Sequence, residues 1–230
     1  MRSSRLVFLS LAAIATVALT PRAGVAQATE RGFSDSWYWG AYGGYTNLST
    51  AYGSQNLTTN APTIGAEWML TRSKFALNIF VEQAYFNTSS SIASPTSSTP
   101  LAVNITDMRR AGFDLMVFTP QLGAVKPYVG FGYAFNFINS ASLSQCAGCN
   151  TFSSQAAADS NSRAISNARS MGKAFLDVGA MWIYKRWAPF AQFEVMPTQG
   201  KSDWFVNGTG FTTVWKAGLR YNFGSSIEKW

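Results

Sequence analysis

The chain has 230 residues, 13% of them charged and 15% aromatic, with a formal net charge of +7 and no histidine. Ordinary soluble domains carry about 25% charged residues, so this composition suits a wall that faces lipid rather than water. The basic excess is scattered in no run longer than two residues, which excludes a nucleic-acid interface. The missing imidazole removes Ser-His-Asp hydrolysis and other His-dependent acid–base chemistry, so no enzyme, cofactor or metal centre is expected.

Arg2 and Arg5 precede an apolar run from Leu6 to Leu19, then Pro21 and a small-residue stretch, Ala23-Gly24-Val25-Ala26-Gln27-Ala28. This is the layout of a signal peptide over residues 1–26, cleaved after Ala26 or Ala28, with an uncleaved membrane anchor as the alternative. Cleavage removes Arg2, Arg5 and Arg22 and no acid, which lowers the charge of +7 by three. A short lead, residues 27–36, follows.

From Trp37 the pattern alternates with a period of two, as a two-faced strand requires. Strand one, Trp37 to about Ser49, sends Trp37, Trp39, Ala41, Gly43 and Tyr45 to one face and Tyr38, Gly40, Tyr42 and Gly44 to the other. A Ser/Thr/Asn/Gly loop is expected through Asn60. Strand two, Pro62 to Arg72, sets Ile64, Ala66, Trp68 and Leu70 against Gly65, Glu67 and Met69. After a tight turn, strand three, Lys74 to Asn87, opposes Phe75, Leu77, Ile79, Val81 and Tyr85 to Asn78 and Glu82. Residues 88–106 read as a Ser/Thr/Pro-rich loop that packs no core.

Strand four, Asp107 to Thr119, has Arg109, Ala111, Phe113, Leu115 and Val117 on one face and Arg110, Gly112, Asp114 and Met116 on the other. Strand five, Pro127 to Asn139, places five apolar residues, Val129 to Phe137, opposite Gly130, Gly132, Ala134 and Asn136. A long polar loop, Ser140 to Ser170, has helix-favouring composition near Gln155 to Arg169. Strand six, Gly172 to Lys185, opposes Ala174, Leu176, Val178, Ala180, Trp182 and Tyr184 to Lys173 and Asp177. Strand seven, Trp187 to Gln199, carries Gln192 and Glu194 on its polar face. Strand eight, Phe211 to Phe223, alternates Phe211, Thr213, Trp215, Ala217, Leu219, Tyr221 and Phe223 with Lys216, Gly218, Arg220 and Asn222.

Eight such segments, joined alternately by long and short links, predict an all-β fold. It is an eight-stranded antiparallel up-and-down transmembrane β-barrel over residues 37–223, with a tail at 224–230. The aromatic faces would look outward to lipid, and the charges inward. A soluble lipocalin-like barrel remains the alternative, and it would invert that orientation.

Two stretches carry a resemblance to the small eight-stranded outer-membrane barrels of the OmpA/OmpX type. The opening Trp37-Tyr38-Trp39-Gly40-Ala41-Tyr42-Gly43-Gly44-Tyr45 is similar to the first strand of that family. Lys216, Gly218, Tyr221 and Phe223 match the family's assembly signal, with Trp230 as a second terminal aromatic. The resemblance implies residence in the bacterial outer membrane among lipid and lipopolysaccharide, and recognition of the last strand by the barrel-assembly machinery.

The inward polar set is Glu67, Glu82, Arg110, Asp114, Lys173, Asp177, Glu194, Lys216 and Arg220. In a lumen just wide enough for its own side chains these charges are expected to pair. A narrow ion path through them is the competing reading. Cys146 and Cys149, in the third long loop, form a Cys-x-x-Cys without a second pair or a histidine. A local disulfide is the expectation ahead of a redox pair or half a metal site. The loops, including Trp204 and Phe205, are candidates to contact a surface ligand. The function expected is therefore structural or surface-interacting, with a narrow porin-like channel as the alternative.

Overall fold

The computed structural model describes residues 33–52, 54–144, 154–198, 204–207 and 210–225. Its first strand, β1 (Ser36–Tyr52), pairs antiparallel with β2 (Gln55–Arg72) on one side and with the last strand, β8 (Phe211–Ser225), on the other. Between them run β3 (Phe75–Ile92), β4 (Leu101–Phe118), β5 (Val125–Leu143), β6 (Ser170–Trp182) and β7 (Trp187–Pro197). Each strand pairs with its sequence neighbour, so the sheet closes as an up-and-down barrel. The expected signal peptide lies outside the described residues, as do Cys146, Cys149 and Trp230.

Closure leaves no strand edge, which is the β solution for a segment surrounded by hydrocarbon. The wall matches that solvent. Trp39, Phe75, Phe131 and Trp215 point outward and are each more than half exposed, while the alternate positions of the same strands are buried. Trp37 packs on Trp68 at 4.8 Å and Trp187 on Tyr221 at 4.7 Å, forming an aromatic girdle beside the short turns. Those turns are tight: Ser73 and Lys185 adopt positive φ, as does Gly123 in the β4–β5 link.

Inside, glycine and aromatic residues face each other across the ladder. Tyr42 lies opposite Gly65, Tyr128 opposite Gly179 and Phe175 opposite Gly132. A Cβ at Gly65 would meet the Tyr42 ring, so the glycines are what allow these rings to lie flat in a narrow bore.

The strands run further than expected on the long-loop side. Residues 50–52 and 55–60, read as loop, extend the β1–β2 hairpin, and the 88–106 loop shrinks to 93–100. The reason is cross-strand bonding between short polar side chains. Asn47 donates to Asn60 at 2.9 Å, the Thr46 and Thr63 hydroxyls bond at 2.7 Å, and Thr59 donates to Thr88 at 3.0 Å. The 88–106 stretch also packs a core after all. Ile92, Leu101, Val103 and Ile105 turn inward and are buried.

The helix expected near Gln155 to Arg169 forms as α1 (Gln155–Asn167), capped by Ser154, whose Oγ accepts from Ala157 N at 3.2 Å. Ala157, Asn161 and Ile165 face down onto the barrel mouth. Trp204, Phe205 and Val206 are fully buried beside them, so the aromatics offered above as surface contacts instead plug the mouth.

Candidate functional site

The bore is filled in three layers. Next to the short turns, Phe33, Tyr38, Met69, Met116, Phe118 and Tyr128 form an apolar floor. The lead residue Phe33 belongs to this floor: it packs on Phe118 at 4.6 Å and lies 3.6 Å beneath the Lys126 ammonium. At the loop end, Leu48, Ile105, Met108, Ile138, Trp204 and Phe205 belong to a second apolar layer. The charges lie between the two.

Strand parity brings most of the charges together. Arg110 on β4 reaches Glu82 on β3 at 2.5 Å and also contacts Glu194 on β7. Lys216 on β8 bridges the same two carboxylates, at 2.9 Å from Glu82 and 2.8 Å from Glu194. Two cations and two anions thus form a closed ring across the barrel. Tyr42 donates to Glu82 at 2.9 Å, and Arg110 sits 5.8 Å from the Phe80 and Phe175 ring centres. Nearer the floor, Arg220 holds Glu67 with both Nε, at 2.6 Å, and Nη2, at 3.2 Å. Asn78 donates to the same carboxylate at 3.1 Å, and the Arg220 guanidinium stacks 3.9 Å from Phe190. Each buried carboxylate in these groups meets more than one donor, the condition for holding a desolvated charge.

Three members of the sequence set stand apart. Lys173 lies at the loop end, 5.8 Å from the Trp204 ring. Asp114 and Asp177 converge over Gly130, where a Cβ would collide with Oδ1 of both. Among the described residues no donor side chain reaches any of their four oxygens, although both residues are buried. They sit on β4 and β6 with β5 between them, and β5 offers only Gly130 and Gly132 at that level. Alternation told each strand's inward residues but not which neighbours would face them. Tyr128, which donates to Gln192 at 3.1 Å, was missed for the same reason.

The assembly-signal positions have structural roles of their own. Lys216 completes the ionic ring, a Cβ on Gly218 would strike Tyr42 and the Ala41 carbonyl, and Tyr221 packs on Phe223 at 5.2 Å along the outer wall.

No family model and no curated protein matches this chain. Solved structures do. Neisserial surface protein A is similar with a TM-score of 0.50 at 12% identity, over 81% of this chain and 97% of that one. OprG from Pseudomonas aeruginosa gives 0.47 at 13%, over 84% and 98%, and Ail of Yersinia pestis gives 0.42 at 10%, over 82% and 99%. The fold is that of the small eight-stranded outer-membrane barrels. The outward apolar belt agrees with it, and the chain resides in the bacterial outer membrane.

Proposed function

We propose that this chain is a non-enzymatic outer-membrane barrel whose role is structural or surface-interacting. The observation that carries the reading is the filled bore. The Arg110–Glu82–Lys216–Glu194 ring spans it, with apolar layers above and below. An ion crossing this lumen would have to break the ring and displace both layers. Lipopolysaccharide and phospholipid are the partners of the outer wall. The barrel-assembly machinery is the partner of Lys216, Gly218, Tyr221 and Phe223 during insertion. For a surface ligand, the exposed face of α1, with Gln155, Asp159 and Arg163, is an accessible part of the loop side.

Planar-bilayer recording tests the reading. The purified chain is expected to insert without current steps at any applied voltage. Reproducible steps would replace it with the narrow-pore reading.

A further inference from the structure

Arg109 is a charged residue that the lumen does not absorb. It faces outward from β4 and is exposed, next to the apolar outward residues Ala111 and Phe113 of the same strand. Register sets it in a rung across four strands, Ile64–Gln83–Arg109–Phe137. The rung on the short-turn side of it is Ala66–Val81–Ala111–Phe135. Two alanines among larger neighbours leave a notch of about 530 Å³ in the outer wall, lined by Ile64, Ala66, Val81, Ala111 and Phe137 with Arg109 beside it.

Arg109 is held in place. Its Nε donates to Gln83 Oε1 at 2.8 Å, and Gln83 Nε2 donates to Asp107 Oδ2 at 3.0 Å. The Asp107 carboxylate is already engaged, since Asn139 Nδ2 reaches Oδ2 at 3.2 Å and Ser140 N reaches Oδ1 at 3.1 Å. Arg109 forms no ion pair among the described residues, and no side-chain hydrogen bond there besides the one from its Nε. The polar rim on the long-loop side begins next to it, where Asp107 pairs with Ser140. At such a rim an arginine meets headgroups, and its two terminal nitrogens match a phosphate bidentately.

We propose that Arg109 and the notch below it form a binding site for lipid A, the phosphorylated, multiply acylated glycolipid of the outer leaflet. The guanidinium takes a phosphate and the notch takes an acyl chain. The site rests on the outer-membrane reading, because only there does the long-loop rim meet that leaflet.

The test uses the full chain refolded into phosphatidylcholine nanodiscs containing lipid A or its dephosphorylated form, with retained lipid counted by native mass spectrometry after mild delipidation. Wild type is expected to keep the phosphorylated lipid. Arg109→Ala is expected to bind it about tenfold more weakly, the loss of one charge-assisted pair. Ala111→Phe, which fills the notch while leaving Arg109 intact, is expected to lose retention as well. Heat-modifiable gel migration verifies that each variant is folded. Equal retention by wild type and folded Arg109→Ala, or equal retention of both lipid forms, overturns the site. A chain that enters no bilayer of any composition would instead overturn the membrane reading beneath it.

Discussion

The barrel has two halves built on opposite rules. In the belt, β4 turns Phe113, Leu115 and Val117 outward and Arg110 and Asp114 inward. Past the irregular register around Asp107, the same strand turns Ile105, Val103 and Leu101 inward, while Asn104 bonds Ser89 across the wall at 3.1 Å. β3 keeps its even-numbered residues inward throughout but changes their character, from Glu82 in the belt to Ile92 near the mouth. In β4 the register shift turns the strand over, and the change of solvent decides which side chains belong inside. Lipid surrounds the lower half, so apolar side chains gain nothing by hiding there and the polar ones must find each other. Water surrounds the upper half, and the ordinary hydrophobic effect refills its interior.

The two halves should therefore fail differently. Arg110→Ala leaves Glu82 and Glu194 buried with only Lys216 between them. Breaking a buried ionic group this way costs about 3–5 kcal/mol. Urea titration in lipid vesicles, followed by tryptophan fluorescence, should show a global drop in stability. An unchanged midpoint would mean that the ring contributes little beyond filling space.

Trp204→Ala removes the largest fully buried side chain of the cap. A large-to-small core change costs about 3–5 kcal/mol where the surroundings cannot collapse. Here it should fall on the loop side alone. Limited proteolysis should accelerate near residues 144–169 while the belt keeps its heat-modifiable migration. Loss of the whole barrel would show that the two halves fold as one unit.

The smallest expected effect has the opposite sign. Asp114 and Asp177 face each other with no other side-chain donor among the described residues, so Asp177→Asn replaces one carboxyl by an amide that donates to the other. Stability should rise by on the order of 1 kcal/mol, read as a higher urea midpoint. A fall would mean that the pair is held together by a partner bridging both aspartates.

Much of the belt was legible in the sequence because its signal is local. Each strand's inward and outward residues follow from parity, so Glu67, Glu82, Arg110, Glu194, Lys216 and Arg220 were readable as lumen residues one strand at a time. The Ser/Thr/Asn stretches were misread as loops because both their faces are polar or small. Their strand character comes from bonds such as Thr59 to Thr88, made to a different strand. Trp204 looked like a surface anchor because nothing near it in sequence announces the mouth it plugs.

The sequence by itself determined the number of strands, the faces of each and the medium they cross, since these depend on side-chain alternation within a dozen neighbouring residues. Only the tertiary structure decided which charges meet. Pairing depends on how closure staggers β3, β4, β7 and β8 around the bore, and no single strand carries that information. It set Arg110 between Glu82 and Glu194, left Asp114 beside Asp177, and placed the outward Arg109 over a notch that its own strand only half defines.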